Sequence, residues 1–180
     1  QHGCVYTALE EVAKELNKED IETEIIWLGL KPIAGCIACK KCAETGKCVF
    51  DDIVNEFVEK AKDADGFIFG SPVHYAGATG AITSFMDRAF YSASNGGKAD
   101  RFLFKPAAAV ISARRAGTTA TYDQLNKYFG ITQMPIISSR YWNMVHGATP
   151  EDVRKDEEGM QTMRILGRNM AYYLKCIEAG

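Results

Sequence analysis

The chain has 180 residues, a formal net charge of −2, 47% hydrophobic and 24% charged residues. That length predicts one domain, spanning 1–180, able to bury a full core. The mixed charges exclude a basic stripe for nucleic acid or a polybasic arm for membranes, and no apolar run approaches the roughly 18 residues that cross a bilayer. No secretory leader is visible from Gln1 onward. The six cysteines are clustered in a chain too rich in core residues to need staples, which predicts a reducing, cytoplasmic setting.

In chain order, "TALEEVAKEL" (7–16) has the apolar spacing of a helix and "TEIIWLGL" (23–30) the composition of a strand. A cysteine-rich loop follows, then a helix over 51–64 capped by Asp51 or Asp52. "GFIFGS" (66–71) and "PAAAVISA" (106–113) read as strands covered on both faces. Helices are predicted over 80–91 and over 121–130, the latter stopping at Gly130. "MPIISS" (134–139) is the expected last strand. One long helix over 149–177 closes the chain, with Thr149 as cap and Pro150 in its first turn. Alternation of strand and helix predicts an α/β doubly wound parallel sheet flanked by helices. The chain opens on a loop and a helix, so a first strand is expected upstream of Gln1.

The loops after the strands carry the functional signal, because ligands of such folds bind at the carboxyl ends of the strands. "GSPVHYAGATGAITSFMDRAF" (70–90), "QHGCVYTAL" (1–9) and "SARRAGTTAT" (112–121) stand at three such ends, those of the third, first and fourth strands. Together they resemble the flavin loops of the NAD(P)H-dependent FMN reductases, and the resemblance extends over nearly the whole chain. It implies a flavodoxin-like strand order 2-1-3-4-5 and FMN as cofactor. Gly3 would let the backbone approach the phosphate, with Cys4 and Val5 presenting amides at a helix start. Cys4 and Val5 replace the Asn and Thr common there, and His2 would supply charge instead. Pro72, Val73, His74, Tyr75 and Gly77 would border the isoalloxazine, with His74 as a neighbour and not a proton donor. Ser112, Ala113, Arg114, Arg115, Gly117 and Thr118 would meet the ring's pyrimidine edge, where positive charge stabilises the reduced flavin. The plainer alternatives are an ordinary strand-to-helix turn and a solvated arginine pair. No side-chain acid or base is assigned, since the flavin carries the chemistry.

"CIACKKCAETGKC" places Cys36, Cys39, Cys42 and Cys48 within thirteen residues in a C-x2-C-x2-C-x5-C spacing. Two-residue gaps let thiolates converge on one centre. The motif resembles the compact one of the iron–sulfur flavoproteins, a branch of the same family, which implies a 4Fe–4S cluster. Free or oxidised thiols and a structural zinc site remain open at this point. Cys176 is expected as a buried small hydrophobe in the last helix, and Cys4 as a loop thiol near the phosphate. With a cluster, a ferredoxin-like donor would pass electrons through it to FMN. Without one, NAD(P)H would reduce the flavin, which would then reduce a small-molecule acceptor. The rivals are a flavin-binding carrier or regulator, against which the low charge argues, and a zinc-stabilised protein on the same fold. A homodimer or homotetramer is expected to close the flavin site, with residues 90–95 in the contact.

Overall fold

The computed structural model describes residues 2–180. In chain order the elements are α1 (Cys4–Asn17), α2 (Lys41–Thr45), α3 (Ile53–Lys60), β1 (Phe67–His74), β2 (Gly77–Ala78) and α4 (Gly80–Asn95). Then come β3 (Ala107–Ala113), α5 (Thr118–Ile131), β4 (Met144–His146), α6 (Pro150–Lys155) and α7 (Glu157–Glu178). The sheet order is β2-β1-β3-β4. β1 runs parallel to β3 from Phe67↔Ala107 to Pro72↔Ser112, and β3 runs parallel to β4 from Ile111↔Met144 to Ala113↔His146. β2 returns antiparallel on the far side of β1.

All seven residues of β3 are buried. Its period-two alternation divides them between two cores. Ala107, Ala109 and Ile111 join the side chains of α3, α4 and α5, among them Val54, Phe85, Met86, Leu125 and Phe129. Ala108 and Val110 face Ala8, Val12, Met163, Leu166 and Met170 of α1 and α7. Each such large side chain fully buried contributes about 1.5–3 kcal/mol. The apolar runs at 67–71 and 107–113 thus form the central parallel pair that the sequence predicts.

Four expectations need correction. Residues 23–30 form no strand. Their composition suits a sheet, but a ladder needs a neighbour, and no strand lies beside them among the described residues. The last strand is Met144–His146, not 134–139. Ile136 makes a single parallel bridge to Ala107, clamped by Ala107 N–H to Pro135 O at 2.8 Å and Ile137 N–H to Ala107 O at 2.8 Å. The chain then swings out over 138–143, where Tyr141 and Trp142 are half exposed against each other, and rejoins at Ile111 N–H to Asn143 O, 2.9 Å. The long final helix is two. Asp156, with ψ of 81°, breaks it and caps α7 by accepting from Gly159 N–H. Thr149 caps α6 in a reciprocal pair with Asp152, as its position foretells. Finally, Cys176 is exposed, because α7 has no fully buried residue beyond Ala171 and its last partly buried apolar side chain is Leu174.

Candidate functional site

At the carboxyl end of the sheet, close backbone contacts gather three loops. Gly3 is the extended residue before α1, and no side chain caps the first turn. The amides of Cys4, Val5 and Tyr6 there lack intrahelical acceptors. This turn rests over Gly70, where a Cβ would lie 2.5 Å from Val5 Cγ1. Cys4 Sγ lies 3.9 Å from Gly147 O, and Gly147 N–H donates to Ala113 O at 3.0 Å, tying α1 to the ends of β3 and β4. Tyr6 makes an edge contact with the exposed His2 ring.

β1 and β2 form a hairpin with only Tyr75 and Ala76 between the paired His74 and Gly77. Tyr75 and Ala76 have φ of 51° and 59°, the positive pair that a type I′ two-residue loop requires. Holding two side-chain-bearing residues left-handed costs about 1–2 kcal/mol each. The hairpin is braced by Ala78 N–H to Gln124 Oε1 at 3.0 Å and by buried Ser71, whose Oγ accepts from Thr79 N–H at 3.2 Å. Tyr75 is fully exposed at the tip. Gly117, with φ of 93°, packs so tightly on the hairpin that a Cβ would meet Ala76 Cα at 2.7 Å.

The structure therefore brings residues 73–77 and 112–118 into contact, with 3–5 beside Gly70 and Gly147. Ser112, Ala113 and Thr118 are buried beneath, and Pro72, His74, Arg114 and Arg115 are exposed. Neither arginine has a hydrogen-bond or ion-pair partner among the described residues.

The cysteine segment builds a second concavity. Ala38, Lys40 and Gly46 are left-handed and wind the chain so that Cys36, Cys39, Cys42 and Cys48 all line one cleft with Phe50, Arg88 and Tyr91. Cys42 sits inside on α2 and is buried, whereas Cys36 and Cys39 are exposed. Burial pushes the Cys42 thiol above its ordinary pKa, and the neighbouring Cys39 and Cys36 add to this. All four thiols are free. No three His, Cys, Asp or Glu side chains among the described residues converge tightly enough for a single metal ion. Four thiols on one cleft are the donor set that a 4Fe–4S cluster would use, with one thiolate at each iron, and also one that a structural zinc could use.

Sequence reasoning missed the residue behind this cleft. Arg88 on α4 is 1% exposed. Its Nε–H donates to Cys48 Sγ at 3.1 Å, and its two terminal nitrogens grip Asp52 at 2.7 and 2.8 Å. The same nitrogens also donate to Ala34 O and Phe50 O. Burial disfavours the Asp52 carboxylate, but the Arg88 and Val54 hydrogen bonds outweigh it and hold the carboxyl below its ordinary range. Asn55 completes the frame, donating to Cys48 O and accepting from Cys48 N–H. The available signal was a charge on an apolar stripe, since Arg88 shares a helix face with buried Phe85 and Ser92. The proposed contact segment, residues 90–95, has Phe90 turned into the core and Tyr91 in the cleft wall.

Fold and loops together define a flavodoxin-like α/β protein. A flavodoxin from the domain Archaea has the same fold, with a TM-score of 0.63 and 14% identity over 97% of this chain and 93% of that one. The chain also spans about a third of a larger protein, rubredoxin oxygen:oxidoreductase from Desulfovibrio gigas (35% of that chain, all of this one, TM-score 0.64, 14% identity). The sequence model of the NADPH-dependent FMN reductases matches residues 1–149. An iron–sulfur flavoprotein of Methanocaldococcus jannaschii is 34% identical over 98% of this chain and 93% of its own length. The chain belongs to the NADPH-dependent FMN reductase family and is an oxidoreductase-type flavoprotein. No helix among the described residues is long and apolar enough to cross a membrane.

Proposed function

We propose that this chain, as a single domain over 1–180, is an FMN-dependent oxidoreductase with a 4Fe–4S cluster held by Cys36, Cys39, Cys42 and Cys48. The observation that carries this reading is the opening of all four thiols onto one cleft, in a chain of the NADPH-dependent FMN reductase family. The name of the relative from M. jannaschii agrees with it. The uncapped amides of Cys4 and Val5, with Gly3 and His2, would hold the FMN phosphate. Pro72, Val73, His74, Tyr75 and Gly77 would flank the ring on one side. Ser112, Ala113, Arg114, Arg115, Gly117 and Thr118 would flank it on the other, the arginines bringing uncompensated positive charge. Bound FMN would supply two-electron and one-electron chemistry, and the cluster one-electron transfer.

The donor would be NAD(P)H or a ferredoxin-like protein, and the acceptor a small molecule. A homodimer or homotetramer in the cytoplasm would cover the open hairpin tip. Anaerobic purification tests the reading, with an absorption spectrum, released-flavin mass and analysis of iron, sulfide and zinc. About one FMN and four irons per chain are expected. About one zinc without iron, or FAD in place of FMN, would overturn the corresponding half.

A further inference from the structure

Arg88 uses all five of its N–H donors, and their destinations are not scattered. Ala34 O lies two residues before Cys36, and Phe50 O two residues after Cys48. One guanidinium therefore pins both ends of the cysteine segment, and its Nε–H points at a cysteine sulfur. Asp52, itself the cap of α3, holds the guanidinium in a two-point fork that fixes the direction of that N–H. The Phe50 ring lies 4.9 Å from the guanidinium carbon and closes another side.

A merely structural arginine would satisfy the carbonyls and the carboxylate and need no sulfur. Here the remaining donor is spent on Cys48. A hydrogen bond to a ligating thiolate stabilises the added electron density of a reduced centre. Because Asp52 offsets the guanidinium charge, the N–H dipole is the principal field that reaches the sulfur. We propose that Arg88 is a positioning residue that fixes Cys48 and raises the reduction potential of the cluster, with Asp52 partly opposing that rise. The inference rests on the cluster reading above.

Two substitutions pull in opposite directions. Arg88→Lys keeps the charge but cannot make the fork and the Nε–H···S bond together. Asp52→Asn keeps the cap and one prong of the fork but removes the counter-charge and the second prong. In anaerobically reconstituted protein of measured iron, sulfide and FMN content, a redox titration followed by electron paramagnetic resonance reads the potential. The expected result is a more negative potential for Arg88→Lys and a smaller, more positive shift for Asp52→Asn, whose carboxylate is one-third exposed (34%). Fully loaded variants with the wild-type potential, or two shifts of the same sign, would overturn the proposal.

Should Arg88→Lys fail to fold or load, wild-type protein carrying 15N-guanidino arginine gives a second reading. Pulsed resonance of the reduced cluster should show coupling to one arginine nitrogen, and its absence overturns the proposal. A wild type that takes up no iron overturns both this inference and the cluster reading. A loaded wild type without these signatures overturns this inference alone.

Discussion

The cysteine cleft and the carboxyl-end loops are built on different logic. The cleft takes four side chains from one short segment, wound by left-handed Ala38, Lys40 and Gly46 and gripped from behind by Arg88. The loops come from three distant segments, brought together at Gly70 and Gly117, where a side chain would collide with the neighbouring loop, while Tyr75, His74, Arg114 and Arg115 stand in solvent. One site is specified by what its side chains are, the other by where side chains are missing. Substitutions should therefore fail differently in the two places.

Cys42→Ser tests the first logic and should have the largest effect. Iron should fall from about four per chain to near none, while bound FMN is retained, as read by metal and flavin analysis of the same sample. Cys176→Ser on the exposed end of α7 should change neither. Gly117→Ala tests the second logic. Its left-handed φ and the 2.7 Å approach to Ala76 Cα leave no room for a methyl group. Stability should drop by about 3 kcal/mol in denaturant titration, with FMN affinity lost and iron uptake kept.

Glu15 sharpens the contrast, because α1 presents its first turn to the carboxyl-end loops and is tied to α7 by Arg168 Nε–H to Glu15 at 2.8 Å. Lys18 hydrogen-bonds the Glu15 carboxylate and lowers its pKa from the ordinary 4.5, burial opposes this, and Arg168 adds to the lowering. A depressed carboxyl contributes stability above its unfolded value and loses it as pH falls through the folded one. Glu15→Gln should cost about 1 kcal/mol at pH 7 and flatten the loss of stability below the unfolded value of 4.5. Iron content should not move. The smallest effect is expected at the hairpin tip. Tyr75→Asn relieves the left-handed strain and should raise stability by about 0.5 kcal/mol, while FMN titration shows weaker binding if the exposed ring contacts the flavin.

The central strands were legible because 67–71 and 107–113 are nearly unbroken apolar runs, which only a doubly covered sheet can use. The cap of α3 was legible as Asp51 or Asp52, just before an apolar-periodic stretch, and the structure selects Asp52. Pairing was not legible. Residues 23–30 have strand composition without a strand neighbour, and 134–139 has it beside a proline and an outward excursion. In the candidate site, cysteine spacing announced a shared cleft, but nothing local marks Ala38 or Lys40 as left-handed. Arg88 escaped notice because its partners lie 36 to 54 residues earlier in the chain. Helical spacing placed Cys176 on a core face, yet the helix outruns the core.

The excursion at 138–143 has a consequence for how molecules of this protein meet one another. β4 lies at the end of the strand order, and an exposed strand there invites a foreign strand to add on. The ladder at that edge is three residues long, preceded by a lone bridge at Ile136 and by Pro135, which has no N–H to offer. The intervening loop turns away with two aromatic rings packed edge to face on its outside. An incoming strand would find no continuous row of donors and acceptors, so the break in the last strand protects this edge of the sheet from edge-to-edge pairing in a crowded solution.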